Sequence, residues 1–326
     1  MNRYIFNAIF FSIFSLASCE ENPNKAYKII CEIYDDKNKP IQGANIEASK
    51  HFLIPESPIS VSQRVSINAL TDVLGIAKID ILSVQNPGGV CITKNGFYPT
   101  TSDVEWDQPL EYNGTRTANV RTMLKPVKNP ISMFAHVFGN TRIRIPTIGV
   151  NYGYDLEMCE FVSPYGKGKC SDIIFLVNGS NDGNGNGRIQ MTIRTNGEKT
   201  GFYEFLTPDR ERGSILISDY VAPDNCYKEC LTFEFDSNHM SAAMSQPKDR
   251  NYYFRVRCRL NSDGSINSCH YGKLYGPFTF WNIPLAHGGV ASFGLDACYF
   301  NPTPNDRNVE FDTKRNLLHK GNVNRP

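Results

Sequence analysis

Neither sign of charge is in excess in this chain: Lys and Arg total 34 and Asp and Glu total 33 over 326 residues. No long block of like charge occurs either. Without a basic field a chain cannot concentrate a polyanion, which argues against DNA or RNA as a partner. Beyond residue 19 there is no run of about 20 apolar residues, so no further helical membrane span is expected. No segment keeps an apolar 3.6-residue period long enough to compete with strands. Catalytic signatures are missing as well. Gly179-Ser180-Asn181-Asp182-Gly183 does not have the Gly-x-Ser-x-Gly spacing that lifts a serine onto a strand-to-helix turn. His287-Gly288-Gly289 has no serine motif to serve, and the six histidines are scattered. Cys226 and Cys230 are separated by three residues instead of the two of a redox pair, and no His lies near enough in sequence to complete a zinc site. The sequence therefore predicts no catalytic residue, no metal centre and no cofactor.

What is present points to strands. The chain has 16 Tyr, 20 Phe, 25 Gly and 19 Pro, a composition of short β-segments joined by punctuated turns. Its length suits about two domains. The expectation is an all-β protein: a small β-sandwich followed by a larger antiparallel β-sandwich or jelly roll.

Residues 4–19 form a short apolar run behind Arg3, closing on Leu16-Ala17-Ser18-Cys19. A run of roughly 7–15 apolar residues serves as an export signal and is too short to span about 30 Å of hydrocarbon. The ending resembles the lipobox of bacterial lipoproteins, in which the cysteine is lipidated and the chain is cut just before it. The resemblance implies a leader over 1–18, a di- or triacylated Cys19, and a lipidated tether over 19–26. The expected partner is thus a membrane, reached through the lipid on Cys19, and the expected address is the outer membrane. Glu20-Glu21 resembles the acidic export tags of some surface lipoproteins.

From Tyr27 the pattern alternates. Ile29, Cys31 and Ile33 fall on one face; Asp35 to Pro40 is a turn cluster, followed by Pro40-Ile41-Gln42-Gly43-Ala44-Asn45-Ile46. Thr71-Asp72-Val73-Leu74-Gly75 marks a second turn and Asn95-Gly96-Phe97-Tyr98 a third. Gly43, Gly75 and Gly96 suit positive φ, and Thr71-Asp72 suits a turn cap. These motifs, in this order, resemble the carboxypeptidase regulatory-like domains. The resemblance covers residues 27–125 and implies a transthyretin-like (prealbumin-like) β-sandwich with a non-catalytic spacer or docking role. Cys31 and Cys91, alone in this domain, are a candidate disulfide.

Residues 126–130 carry two prolines and read as a linker. Residues 131–300 carry strand-like runs, among them 171–177, 188–194, 231–235, 252–260 and 265–275. Residues 301–326 read as a polar strap that frays at its end. The phrases Tyr154-Asp155-Leu156-Glu157, Pro164 to Lys169, Tyr271 to Gly276 and Asn301 to Asn308 resemble the C-terminal half of bacterial lipoproteins without an assigned activity that also begin with a regulatory-like domain.

Turn geometry suggests cysteine pairs. Cys258 and Cys269 each lie five residues from Asp263-Gly264, a strong two-residue hairpin signal, so they face one another on one side of the sheet. Cys159 and Cys170 flank Pro164-Tyr165 with the same symmetry, and Cys226 and Cys230 could close a small loop; Cys298 is left over. Asp182, Asn184 and Asn186, followed by Gly187, match the first half of a calcium loop, but Ile193 stands where the bidentate Glu belongs. Trp106, Trp281 and the tyrosines are either core or a sugar-stacking surface. The leading functional expectation is a non-enzymatic, lipid-anchored envelope protein presenting a β-sandwich for a protein or glycan partner. The second is a carbohydrate-binding lipoprotein of a polysaccharide-uptake system, and the third a hydrolase.

Overall fold

A computed structural model of the chain describes residues 25–53, 62–83, 85–107, 114–138, 143–179, 188–207, 213–236, 244–245, 250–276, 278–282, 291–318 and 323–326. The protein is all-β; the described residues contain no helix. In chain order the strands are β1 (Lys25–Tyr34), β2 (Asn45–Leu53), β3 (Ser62–Leu70), β4 (Ile76–Ser83), β5 (Gly89–Thr93), β6 (Thr100–Asp103), β7 (Arg116–Met123), β8 (Ile131–Val137), β9 (Ile143–Ile145), β10 (Asn151–Asp155), β11 (Glu160–Phe161) and β12 (Ile173–Gly179). They continue as β13 (Arg188–Thr195), β14 (Gly201–Leu206), β15 (Gly213–Ser214), β16 (Cys230–Asp236), β17 (Met244–Ser245), β18 (Arg250–Leu260), β19 (Ile266–Tyr275), β20 (Thr279–Asn282), β21 (Ala291–Gly294), β22 (Ala297–Phe300) and β23 (Phe311–Asn316).

The first sandwich packs a sheet of order β4-β1-β7 against one of order β15-β6-β5-β2-β3. Alternation decides which side chains meet. Tyr27, Ile29, Cys31 and Ile33 of β1 are buried against Ile46 and Ala48 of β2 and Val90 and Ile92 of β5, each large side chain contributing about 1.5–3 kcal/mol by leaving water. The turn at Thr71 is built as its residues demand. The Thr71 hydroxyl donates to Ile41 O (2.6 Å) and accepts from Ala44 N (2.8 Å), while Asp72 Oδ1 accepts from Leu74 N and Ile76 N. Gly75 sits at φ +74°, and a Cβ there would lie 2.5 Å from Ile33 O, so only glycine closes this turn.

The second sandwich packs a six-stranded sheet (β14-β18-β19-β22-β8-β23) against a five-stranded one (β11-β10-β12-β13-β16), with a four-stranded sheet (β17-β20-β21-β9) beside them. Tyr152, Phe175, Ile193, Tyr252, Phe254, Phe293 and Phe300 fill its core. The opposite face of the six-stranded sheet is also covered. Ala222, Val309, Phe311 and Val323 lie over Tyr253, Tyr271, Tyr275 and Tyr299 in two smaller clusters.

One expectation is corrected here. The described end of the strap, 323–326, does not fray: β23 runs parallel to β8, Val323 is buried, and Arg325 O and Pro326 O accept the hydroxyls of Tyr299 and Tyr275. Asn316 bonds to both N and O of Ala135. Residues 126–130, read as a linker, are bonded into the fold. Pro126 O accepts from Tyr220 Oη (2.7 Å), Pro130 O from Arg315 Nη2 (2.8 Å), and the amides of Lys128 and Asn129 both donate to the buried Glu310 carboxylate. Glu310 also accepts from Tyr98 Oη at 2.8 Å, so one carboxylate joins the linker, the first sandwich and the strap. β15, from the second half of the chain, pairs with β6 and so extends a sheet of the first sandwich.

Candidate functional site

That junction borders a concavity. Among the described residues, β7 has β1 on one side and no strand on the other, and β6 of the facing sheet is covered by the two residues of β15. Between β6 and β7 lies a cleft of about 600 Å³. Its lining includes five consecutive residues of β7, Asn119 to Met123, and all four of β6, Thr100 to Asp103. Side chains of successive strand residues point to opposite faces. A cleft that touches all of them therefore runs along the strand edges, where backbone N–H and C=O groups lie. The far rim is Gly213, Ser214, Leu216 and Ile217 of the second half, with Lys125 at the end.

The lining mixes polar residues with Val120, Met123, Leu216 and Ile217; it is balanced in charge, with Asp103 and Glu105 against Arg121 and Lys125, and contains no aromatic residue. Burial holds the Lys125 ammonium below its usual range, set against the attraction of Asp219, and its Nζ donates to Ser218 O at 3.1 Å. On the inner side of β7, Thr122 is 7% exposed, and its buried hydroxyl has no hydrogen-bond partner. An orphaned buried hydroxyl costs about 1–3 kcal/mol. Here it lines a cavity.

A second hollow, of about 450 Å³, lies in the larger sandwich beside Arg257. Arg257 occupies a bulge between β18 and β19 at φ +53°. Its Nε and Nη2 donate to Asp172 (2.8 and 2.9 Å), its Nη1 to Glu157 (2.5 Å), and its Nη2 also to Asp155 (3.2 Å). Asp155 further accepts from the amides of Glu157, Met158, Lys169 and Cys170. Burial raises the Asp172 carboxyl pKa and the Arg257 contacts oppose it. These carboxylates are committed to one guanidinium and to turn amides, an arrangement that fixes loops and leaves no free acid–base pair. The phrases around Tyr154-Asp155-Leu156-Glu157 and Pro164 to Lys169 supply this knot. Arg257 itself carries no signal in the sequence, because its partners lie some 85 to 102 positions away.

On the other face of the same hairpin Lys273 is fully buried, donating to Ser218 Oγ at 2.9 Å and lying about 5 Å from the rings of Tyr275 and Tyr299. Burial drives its ammonium well below the usual range.

The nine described cysteines are free thiols in the structure. Cys258 and Cys269 meet across the expected hairpin, thiol to thiol, and hydrogen bonding from Cys258, against burial, lowers Cys269 to about 6. Cys31 and Cys91 are corrected as a pair. Cys31 points into the core of the first sandwich, whereas Cys91 lies between the buried Val90 and Ile92 of β5 and so faces outward from the other sheet. Cys159 Sγ shares the Leu156 carbonyl oxygen with Cys298 Sγ, while Cys170 lines the Arg257 hollow. Cys226 and Cys230 are both exposed, and Cys230 Sγ lies 3.6 Å from Thr232 Oγ1. Trp106 is taken up by an edge contact with Tyr27, the Arg116 guanidinium and Pro87 O. Cys19, the Asp182-Asn184-Asn186 loop and the Trp281 side chain lie outside the described residues. Among those described, no group of three or more His, Cys, Asp or Glu is placed to hold a metal ion, and no helix is long and apolar enough to cross a membrane.

No family model and no curated protein matches the chain. Among solved structures, an intradiol ring-cleavage dioxygenase from Tetranychus urticae is 12% identical over 34% of this chain and 85% of its own, with a TM-score of 0.25. A 3-chlorocatechol 1,2-dioxygenase from Rhodococcus opacus 1CP is 13% identical over 33% and 62%, with a TM-score of 0.24. A Bacteroides fragilis NCTC 9343 protein described as membrane-associated and of unknown function is 12% identical over 86% and 99%, with a TM-score of 0.16. At such TM-scores none of these likenesses bears on function.

Proposed function

We propose that this chain is a non-enzymatic, lipid-anchored cell-envelope protein whose two sandwiches are fused so that the cleft between β6 and β7 takes an extended segment of a partner protein. The first sandwich is the carboxypeptidase regulatory-like module and Cys19 the lipid anchor. The observation that carries the reading is the cleft along Asn119 to Met123 of β7, whose outer edge has no partner strand among the described residues, with the unpartnered buried Thr122 hydroxyl lining it. An added strand supplies the backbone groups that an open edge lacks, and small polar side chains leave it room. A glycan is the second reading, favoured by the hydroxyls of Thr100, Thr101, Ser102 and Ser214; the aromatic-free lining favours the peptide. Cys258–Cys269 is the expected disulfide of the exported form.

The test is a thermal-shift series on the full chain with extended peptides selected from a random library, and with oligosaccharides in parallel. A ligand at about a hundred times its dissociation constant stabilises by about 2.7 kcal/mol. A peptide-dependent shift that Thr122→Val removes is the expected result; binding by glycans alone moves the reading to the second class, and no shift with either class sinks it. For the anchor, Cys19→Ser should abolish palmitate labelling in a bacterial host. Continued labelling of that variant would contradict lipidation at this position.

A further inference from the structure

We propose that Cys159 and Cys298 form a disulfide that ties the two main sheets of the larger sandwich together. The pair is non-local. Cys298 is the second residue of β22, flanked by Leu274 of β19 and His136 of β8, and its side chain is buried in the core beside Phe300. Cys159 ends the turn that follows β10, on the opposing sheet, at φ +50°. Both sulfurs converge on one acceptor: Leu156 O lies 3.4 Å from Cys159 Sγ and 3.8 Å from Cys298 Sγ.

The turn is held where it is needed. Asp155 Oδ1 accepts from Glu157 N and Met158 N, and Leu156 N donates to Asp172 Oδ2, so the Arg257 knot fixes the segment that presents Cys159. Forming the bond requires Cys159 and Cys298 to turn their sulfurs from the shared carbonyl towards one another, to roughly 2.05 Å.

The chemistry is thiol–disulfide exchange with a small disulfide such as oxidised glutathione. The Cys159 thiolate attacks one sulfur of the oxidant, forming a mixed disulfide and releasing one glutathione thiolate. The Cys298 thiolate then attacks the Cys159 sulfur and releases the second. Cys159 and Cys298 lose two protons and two electrons, and the oxidant is reduced to two thiols. Cys159 is partly exposed, whereas Cys298 is sealed and its thiol is pushed far up by burial. The exchange therefore belongs to folding, before the sandwich closes, and the finished bond is shielded from reductant. The loop it closes is about 140 residues, which restricts the unfolded chain far more than the short loop to Cys170 would.

The test uses the full chain folded in a glutathione redox buffer, alkylated, and cut with trypsin without reduction. Cleavage after Lys167 and Lys169 puts Cys159 and Cys170 on different peptides. Mass spectrometry should find the Cys159 peptide joined to the Cys298 peptide, with the link surviving dithiothreitol in buffer and lost in denaturant. A Cys159–Cys170 link, or alkylation of both Cys159 and Cys298, would overturn the proposal. As a second readout, oxidised wild type should melt at least about 10 °C above Cys159→Ser, which retains a small polar side chain at a half-buried site. Equal melting temperatures would also overturn it.

Discussion

Around Arg257 four charged side chains are wholly or partly buried and each has a partner; along β7 one neutral hydroxyl is buried and has none. The two hollows beside these groups are similar in scale, about 450 and 600 Å³, yet physics assigns them different roles. Where every donor and acceptor is spent within the fold, a polar cluster specifies structure, and a ligand would have to outcompete it. Where strand edges and a hydroxyl remain unspent beside open space, a ligand gains by arriving. Saturation, not volume, separates scaffold from site.

The hardest way to break that contrast is Arg257→Ala, which leaves Asp155, Glu157 and Asp172 facing one another without a cation. Removing one partner of a buried ionic cluster costs about 3–5 kcal/mol, to be read from urea unfolding. A loss below about 1 kcal/mol would show that the knot is not structural.

Next comes Lys273, the buried cation with no contacting carboxylate. Its folded pKa lies below its unfolded one. The stability it contributes is therefore complete above about pH 10.4 and is lost as pH falls towards the folded value. Wild-type stability should rise between pH 7 and pH 9. Lys273→Met should stabilise by about 1–2 kcal/mol at pH 7 and flatten that rise. Destabilisation by Lys273→Met at both pH values would mean that the ammonium stays charged and is held by the tyrosine rings.

Glu310→Gln addresses the join between the sandwiches. The amide keeps one acceptor for the groups that now share two oxygens, at a cost of about 1–2 kcal/mol. Calorimetry should show the single transition of the wild type broadening as the two sandwiches uncouple. Thr122→Val has the opposite sign: deleting an unpartnered buried hydroxyl should stabilise the unliganded fold by about 1 kcal/mol, the low end of its desolvation cost, while ligand binding is lost.

How far these features were legible follows from their range in sequence. Alternation at Tyr27, Ile29, Cys31 and Ile33 and the turn chemistry of Thr71, Asp72 and Gly75 are local, and they placed the strands and turns of the first sandwich. The β18–β19 hairpin was readable from Asp263-Gly264 for the same reason; its turn runs from Asn261 to Ser265. The bulge at Arg257 was not, because a positive φ at an arginine is imposed by its carboxylates. Neither β10 nor β14 stood out, since glycines and acidic residues interrupt Asn151–Asp155 and Gly201–Leu206. The cleft itself could not be read. Thr122 looks like any alternate residue of a strand, and its environment is made by β15, brought from about 90 positions away by pairing with β6.

Hydrogen exchange of the full chain, with and without the best library-selected peptide, tests the strand-edge cleft most directly. Backbone amides of Asn119, Arg121 and Met123, which face the outer edge of β7, should exchange more slowly with peptide bound, while those around Arg257 stay unchanged. Protection confined to other surfaces, with β7 exchanging at its free rate, would contradict the assignment of this cleft as the binding site.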